Sequence, residues 1–282
     1  MPKEDILIIG SSGTVGSTLA RLLKEQGHIV KLATSREPNS PEQVQIDVST
    51  GEGIKDAMSG VDKAFLLSPP GFADQYAVLS PLIQEAKRQG LKKVVLMTAM
   101  GANADESAPL RRAEVELINS GLKYNIVRPN WFLQNFNTLW IQGINEHRKI
   151  FLPAGNAKVS FIDARDISAV IAKLITSEDY NNQEFDITGP EAIDHNDVAK
   201  EISNVIGSKV QYQEISPDEL KSGLLGAGLP ADYTDFLLLI MGFLKEGYNG
   251  GLTDNVEKIL GRKPHSVKDY TRDFKNSWIV NG

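Results

Sequence analysis

The sequence predicts an α/β fold, a doubly wound parallel sheet followed by a smaller, mostly helical C-terminal part. Short apolar runs alternate with longer amphipathic segments along the first half of the 282-residue chain, as in successive βαβ units. The first run, residues 6–9, ends in glycine and leads into a helical pattern. An apolar run of this length is typical of a buried parallel strand, and right-handed crossovers join such strands.

The glycine-rich loop after this strand predicts a phosphate site. Gly10 can adopt the dihedral angles of a tight turn, Gly13 allows the backbone to approach a bulky anion, and Gly16 allows the helix to pack closely. Free N–H groups at the start of the helix bind an anion without a charged side chain. Glycines also occur in ordinary strand-to-helix turns, but a strand before them and a helix after them favour the dinucleotide loop of a Rossmann-type fold. The expected cofactor-binding residues here are Gly10, Ser12, Gly13, Thr14, Val15 and Gly16.

The end of the second strand predicts which dinucleotide is bound. Proteins that select NAD place an acidic residue there, about 20 residues beyond the glycine loop, to bind the ribose hydroxyls. This chain has Thr34, Ser35 and Arg36 instead, with no acidic residue before Glu37. A guanidinium forms forked, charge-assisted contacts with a phosphate, so we expect NADP(H), with Arg36 on its 2′-phosphate. The alternative is that Arg36 is a solvated charge in a loop.

The other strand ends provide further cofactor-binding candidates, because ligands of parallel α/β sheets bind beyond the carboxyl ends of the strands. The candidates are Asp47 and Val48 at the third strand, Ser68 and Pro69 after the fourth, and Thr98 after the fifth. Asp47 is equally suited to capping a helix.

The alternating pattern changes after Asn130, which divides the chain into two parts. We expect residues 1–130 to form an NADP-binding domain of the Rossmann type, completed by a returning strand and helix near residues 159–176. Residues 131–158 and 185–282 are then expected to form the substrate-binding part. Within the first domain, Pro81 lies inside a helical pattern and is expected to kink this helix or divide it at Ser80.

Aromatic and amide side chains follow the sixth strand, where we expect a pocket for a small molecule. The pocket candidates are Met100, Trp131, Phe132, Asn135 and Tyr248. Tyr248 belongs to a glycine-rich apolar stretch, residues 225–251, that fits either a lid or a buried helix with a loose end. Trp131 and Phe132 also fit ordinary core positions.

Composition and residue spacing argue against several functions. A net charge of −6 disfavours a nucleic-acid-binding surface, and the longest apolar run, residues 236–244, is about half the length that crosses a bilayer. The chain has no cysteine, and its four histidines show no metal-ligand spacing. We expect no metal, no nucleic acid and no membrane partner. A cytoplasmic location is expected, because the first strand begins too early to leave room for a signal peptide.

Asp163 and Asp166 invite a catalytic or metal-binding interpretation. Both flank the start of a helical pattern. We prefer a structural role, in which Asp163 caps the helix and Asp166 stabilises its dipole.

Five motifs resemble those of the NmrA-like atypical short-chain dehydrogenases/reductases. They are the glycine loop, Arg36, residues 128–132 (Arg-Pro-Asn-Trp-Phe) with Asn135, residues 161–166 (Phe-Ile-Asp-Ala-Arg-Asp), and residues 187–190 (Ile-Thr-Gly-Pro). The resemblance covers nearly the whole chain. It implies a Rossmann domain that binds NADP(H) along the strand ends, and a C-terminal domain that binds the substrate over the nicotinamide. Members include quinone, triphenylmethane-dye and imine reductases, and redox sensors that bind the nucleotide without turning it over.

The Tyr-x-x-x-Lys pair, the usual acid of the wider superfamily, is missing. None of the seven tyrosines is followed by a lysine four residues later, and Val115 stands where NmrA-like reductases often carry a lysine. The sequence supports two hypotheses: an NADPH-dependent reductase of a conjugated acceptor such as a quinone, dye or imine, and a non-catalytic NADP(H)-binding redox sensor. We favour the reductase because of the aromatic strand end at Trp131. Its catalytic residue stays open, with Thr98, Asn135 and Tyr248 as candidates, and the oligomeric state is not predicted.

Overall fold

Residues 3–279, which the computed structural model describes, contain nine β-strands and eleven α-helices. The strands are β1 (Asp5–Ile8), β2 (Ile29–Thr34), β3 (Gln43–Gln45), β4 (Lys63–Leu66), β5 (Lys93–Met97), β6 (Lys123–Pro129), β7 (Lys149–Leu152), β8 (Gln183–Ile187) and β9 (Gln211–Glu214). The helices are α1 (Thr14–Glu25), α2 (Ile54–Met58), α3 (Gln75–Gln89), α4 (Pro109–Ile118), α5 (Ile141–His147), α6 (Ala164–Thr176), α7 (His195–Ile206), α8 (Pro217–Gly226), α9 (Ala231–Lys245), α10 (Asn255–Leu260) and α11 (Val267–Asp273).

The chain divides into two compact units. The first contains the residues up to Pro129, Arg165–Ile187 and Lys258–Gly261. The second contains Asn130–Ala164, Thr188–Glu257 and the residues from Arg262 onward. Each unit has its own buried apolar cluster.

The first unit is built on a seven-stranded sheet in the order β3-β2-β1-β4-β5-β6-β8, and all of its neighbouring strands are parallel. The strand order reverses between β1 and β4, which makes the sheet doubly wound. The central strands β1 and β4 are almost completely buried, as expected for a parallel sheet with helices on both faces. The predicted fold class is therefore confirmed.

The strand that completes this sheet differs from the predicted one. We expected residues 159–162 to return to the sheet, but β8 pairs with β6 instead. Residues 159–162 lie in the second unit, where Val159 and Ile162 form isolated bridges to Ile193 and Phe132. The apolar run at 159–162 is buried in the second core, whereas β8 is a half-exposed edge strand with polar residues. An edge strand does not have to be apolar. The prediction that the apolar segment 159–162 completes the sheet was therefore wrong.

Helix α3 continues through Pro81 rather than being divided at Ser80. Pro81 is exposed, so the carbonyl oxygen that loses its intrahelical donor can be hydrated. The buried residues of the helix, including Val78, Leu82 and Ile83, hold both halves against one core. Packing of this face offsets the local cost of the proline.

The second unit is mostly helical and also contains a two-stranded parallel sheet of β7 and β9. The stretch at residues 225–251 contains α9 and its flanking turns. Leu239 and Phe243 on this helix are about half exposed, so the segment is helical but not fully buried, and the lid stays a prediction. Across residues 3–279, the helices are all too short or too polar to traverse a lipid bilayer.

Candidate functional site

The glycine loop of the first unit makes an unusually close turn between β1 and α1. Gly10 has a φ of +71°, and a Cβ atom on Gly16 would lie 2.2 Å from the carbonyl oxygen of Gly10. The backbone N–H of Gly13 donates to the same oxygen at 3.0 Å. These contacts require glycine at both positions, since only glycine tolerates that dihedral angle and that approach.

The N-terminus of α1 has the properties of an anion site. Gly13 occupies the N-cap position and no side chain in the described part of the chain caps this helix. Ser12 and Thr14 are exposed, whereas Val15 is buried against the core. The N–H groups of the first turn are therefore available, at the positive end of the helix dipole. This arrangement fits the pyrophosphate of a dinucleotide.

Arg36 lies just beyond β2 and is exposed. Its backbone N–H donates to Thr34 Oγ1 at 3.1 Å, and Ser11 Oγ ties the glycine loop to β2 by donating to Ala33 O at 2.7 Å. Between residues 3 and 279, no ion pair or side-chain hydrogen bond engages the Arg36 guanidinium. It is therefore available to a phosphate, and its contact with the 2′-phosphate of NADP(H) stays a prediction.

Asp47 organises a turn instead of capping a helix. Its carboxylate accepts hydrogen bonds from Ser49 Oγ at 2.6 Å, Ser49 N at 2.8 Å and Thr50 N at 3.3 Å. These hydrogen bonds, those of Ser49 first, lower the pKa of Asp47. The N-cap of α2 is Gly53, so the capping alternative for Asp47 was wrong. The neighbouring Val48 is half-buried against the core of the first unit.

The sheet register brings Ser68 and Thr98 to the same edge as the glycine loop. Phe65 pairs with Ile8 on one side and with Val95 on the other. Leu66 and Leu96 are the last pair of this register, so Ser68 and Thr98 each follow a paired position by two residues at the carboxyl ends of β4 and β5. Neighbouring strands lie about 4.8 Å apart, so both residues are within reach of one extended ligand.

Ser68 and Met100 make local contacts at this edge. Ser68 Oγ lies 3.4 Å from the carbonyl oxygen of Pro69. Met100 is half-buried, and its N–H donates to Pro129 O at 3.0 Å. The polypeptide thus extends β5 in contact with β6 for several residues past Met97.

Thr98 is joined to a buried charge network that the sequence analysis missed. Its Oγ1 lies 2.6 Å from Oε1 of Glu114, a fully buried residue of α4. Arg128 on β6 binds both oxygens of this carboxylate, at 2.8 Å and 2.7 Å, and Arg111 adds a contact at 3.2 Å. Burial alone would lower the pKa of Arg128, but hydrogen bonds to Glu114 and Glu184 outweigh this effect and raise it.

The sequence contained a signal for this network. Glu114 lies four residues after Leu110 and three before Leu117, on the apolar face of α4. A carboxylate on the buried face of a helix needs a cationic partner. Arg128, in the buried part of strand β6, is that partner.

The candidates of the second unit occupy different environments. Trp131 is half-buried against the core, with its ring centroid 6.3 Å from that of Trp140. Phe132 is half-buried. Asn135 lies in a 3₁₀ helix, and its side-chain amide has no hydrogen-bond partner among residues 3–279.

Tyr248, the candidate after α9, is 73% exposed and packs edge-on against Phe243. Trp131 thus has the core contacts of the alternative interpretation, whereas Asn135 keeps a free amide.

A buried asparagine fixes the loop that carries Tyr248. Asn130 Nδ2 donates to Ser160 Oγ at 2.7 Å and to Asn249 O at 2.8 Å. Asn130 Oδ1 accepts from the backbone N–H of Trp131 at 2.9 Å. One side chain therefore orders both Trp131 and the segment after α9.

The acidic pair and the histidines do not form a metal centre. Asp163 Oδ1 accepts from Gln134 Nε2 at 2.8 Å, and both Asp163 and Asp166 are fully buried. Within residues 3–279, no cluster of three or more His, Cys, Asp or Glu side chains has the arrangement of a metal site. His195 is buried among aromatic rings. This packing among aromatic rings indicates a structural role for His195.

Comparison with known proteins assigns the family. The model of the NmrA-like family matches residues 2–275. The NAD(P)H azoreductase of Xenophilus azovorans is 31% identical over 278 residues, covering 95% of this chain and 96% of that protein. The triphenylmethane reductase of a Citrobacter species has the same fold, with a TM-score of 0.82 at 20% identity, covering 96% of this chain and 99% of the other. An NADPH-dependent quinone oxidoreductase from Escherichia coli gives a TM-score of 0.79 at 20% identity, covering 95% and 99%. Since the family model spans nearly the whole chain, this protein belongs to the NmrA-like family.

Proposed function

We propose that this protein is an NADPH-dependent oxidoreductase that reduces a conjugated small-molecule acceptor. The observation that carries the proposal is the glycine loop, whose uncapped helix N-terminus lies at the carboxyl edge of a doubly wound sheet. The likeness to an NAD(P)H azoreductase over almost the full length of both chains supports it. Azo compounds, quinones, cationic dyes and imines share the required chemistry, which is a π-system that accepts a hydride.

The first unit provides a suitable surface for NADP(H). The N–H groups at the start of α1 bind the pyrophosphate, and Arg36 binds the 2′-phosphate through charge-assisted hydrogen bonds. Asp47, Val48, Ser68 and Pro69 border the cofactor along the strand ends. When bound, the reduced nicotinamide supplies the hydride.

The acceptor chemistry follows from the missing Tyr-x-x-x-Lys pair. A simple ketone develops a localised alkoxide charge, which enzymes stabilise with a strong acid or an oxyanion hole. In a quinone, azo dye or iminium, this charge is delocalised or neutralised. We infer that the second unit binds such an acceptor by stacking on Trp131 and Phe132, with Asn135 as a polar anchor. Tyr248 is a further pocket residue of this unit in the proposal, and Met100 in the first unit stays a candidate from the sequence.

Spectrophotometric assays of NADPH oxidation test the function. The purified protein is mixed with NADPH and with azo dyes, quinones, triphenylmethane dyes and cyclic imines, and simple ketones serve as the matched control. We expect turnover with at least one conjugated class and none with the ketones. Turnover of ketones would reveal an unrecognised proton donor. Tight NADPH binding without any turnover would favour a regulatory NADP(H)-binding protein.

A further inference from the structure

The polarity of the Thr98 hydroxyl is determined by the network around Glu114. Both oxygens of the Glu114 carboxylate already receive N–H donors, Oε1 from Arg128 Nε and Oε2 from Arg128 and Arg111. A carboxylate paired in this way is an acceptor only. The proton between Thr98 Oγ1 and Glu114 Oε1, 2.6 Å apart, must therefore be the proton of the Thr98 hydroxyl.

The hydrogen bond to Glu114 limits what the Thr98 hydroxyl can do for a ligand. A threonine hydroxyl has one O–H to donate and two lone pairs that accept. Since the O–H bond of Thr98 points to Glu114, only the lone pairs remain for a ligand. The hydroxyl cannot protonate an oxyanion, which removes Thr98 from the candidate proton donors.

The location of Thr98 indicates which ligand group it meets. Arg36, which is expected to bind the adenosine 2′-phosphate, follows β2, and the pyrophosphate loop follows β1. In the sheet order, β2 lies on one side of β1, and β4 and β5 lie on the other. A dinucleotide whose adenosine half extends over β2 directs its nicotinamide half over β4 and β5. Thr98 follows β5 and is 8% exposed.

We propose that Thr98 is a specificity residue that accepts a hydrogen bond from an N–H or O–H group at the nicotinamide end of the bound ligands, and that Glu114 is the residue that positions it. This inference rests on the proposed function. The donor is either the carboxamide N–H of the nicotinamide or an N–H or O–H group of the acceptor. Glu114 is held by two arginines, so its geometry is rigid and the Thr98 lone pairs are preorganised.

Ligand pairs that differ only in their donor group test the proposal. Thr98→Val removes the hydroxyl at constant shape, and Thr98→Ser retains it. Calorimetry measures Kd for NADPH and for its reduced 3-acetylpyridine analogue, which lacks the carboxamide N–H. A second series measures Kd of hydroxy- and methoxy-substituted acceptors for the NADP⁺ complex.

We expect Thr98→Val to lose about 5- to 10-fold in affinity for one donor-bearing ligand, the value of one hydrogen bond. Its affinity for the matched ligand without the donor stays unchanged, and Thr98→Ser stays within about twofold of wild type. Loss confined to NADPH identifies the cofactor as the donor, and loss confined to the hydroxylated compound identifies the acceptor. Thr176→Val, which removes a hydroxyl that donates to Ala172 O within α6, is the control.

Other results overturn the inference. Unchanged affinities in Thr98→Val, or equal losses with and without the donor, show that Thr98 accepts from neither group. Failure of the proposed function is distinguishable, because it appears as NADPH binding without NADPH oxidation in the turnover assay, whereas the ligand-pair affinities of the Thr98 variants are measured independently of turnover.

The role of Glu114 is tested separately. Glu114→Gln reduces the charge that fixes the Thr98 proton, so the preference for the donor-bearing ligand shrinks without a change in its sign. Glu116→Gln, on the same helix and bonded to Gln84, is the matched control. Because Glu114→Gln leaves Arg128 with a weaker partner, thermal unfolding of both variants is followed in parallel. The Thr98 variants decide the proposal even if Glu114→Gln does not fold.

Discussion

At the residue scale, ionisable side chains of this protein occupy three kinds of environment: buried with an ionic partner, buried without a hydrogen-bond partner, and exposed. Glu114 and Arg128 are buried together and satisfy each other. His195 is also buried, but neither of its ring nitrogens has a hydrogen-bond partner among residues 3–279. Arg36 is exposed and has no ion pair within the same range. The Glu114–Arg128 pair positions neighbouring side chains, and the Arg36 guanidinium is available to a ligand. The buried His195 is expected to make the stability of the fold depend on pH.

We predict that Arg36→Ala weakens NADPH binding by about tenfold or more, because a charge-assisted hydrogen bond contributes about 1.5–3 kcal/mol. NADH affinity stays unchanged, since NADH lacks the 2′-phosphate. Arg21→Ala, which removes an exposed arginine of α1 paired with Glu25, controls for net charge. Titrations of both cofactors into the three proteins measure this. Equal NADPH affinity in wild type and Arg36→Ala would contradict the assignment.

We predict that His195 makes the stability of the protein depend on pH. Burial lowers its pKa to about 4, against a small opposing effect of Asp194. The unfolded chain therefore binds a proton near pH 6.5 that the folded chain takes up only near pH 4. Stability is fully present above pH 6.5 and falls as the pH decreases toward 4. From pH 7 to pH 5 the loss is about 2 kcal/mol.

Urea denaturation at pH 7 and pH 5 measures this loss, and His195→Phe is expected to reduce it by about 2 kcal/mol. Phenylalanine fits the surroundings, because Phe136, Phe161 and Tyr212 pack around the imidazole. His147→Gln, at an exposed position, retains the wild-type pH dependence. The same slope in His195→Phe and wild type would show that other groups cause it.

At the element scale, the proposed cofactor binding depends on how closely β1, the glycine loop and α1 approach one another. The Gly10 carbonyl oxygen lies where a Gly16 side chain would be. Ser168 on α6 supports the same helix by donating to Val15 O at 3.0 Å. The proposed anion site is therefore formed by backbone packing and not by charged side chains.

We predict opposite effects for the same substitution in two helices. Gly16→Ala places a Cβ atom 2.2 Å from backbone, which forces α1 away from the loop. A backbone shift of this kind destabilises by about 1–3 kcal/mol and weakens NADPH binding. Gly223→Ala in α8 meets no atom within 4 Å, and the higher helix propensity of alanine stabilises by about 0.5–1 kcal/mol. Denaturant melts and NADPH titrations of both variants test this; a stable, binding-competent Gly16→Ala would refute the close-packing argument.

At the scale of the whole molecule, two separate cores carry different residue types. The three tryptophans, Trp131, Trp140 and Trp278, all belong to the second unit, as do seven of the eight exposed large apolar side chains among residues 3–279. The first unit carries the glycine loop and the strand-end candidates. Tryptophan fluorescence therefore reports on the second unit, whereas the proposed NADPH-binding residues lie in the first.

We predict that NADPH stabilises the protein by mass action. At a concentration 100 times Kd, the free energy of unfolding rises by about 2.7 kcal/mol, and Tm rises by about 5–10 °C for a unit of this size. Far-UV circular dichroism during thermal unfolding measures the shift. Arg36→Ala at the same NADPH concentration shows a smaller shift, and an equal shift in both proteins would place the binding determinants elsewhere.

The sequence by itself determined the fold class, the family, the glycine loop and most strands of the first unit. These depend on local signals: apolar runs, glycine spacing and the residues at strand ends. Only the tertiary structure decided which segment completes the sheet, because β8 pairs with β6 across more than fifty residues and carries little apolar pattern of its own. It also decided that the Thr98 hydroxyl is bound to Glu114. A hydroxyl at a strand end looks the same in sequence whether it donates to a ligand or to a buried carboxylate, and only packing of α4 against β6 brings that carboxylate to it.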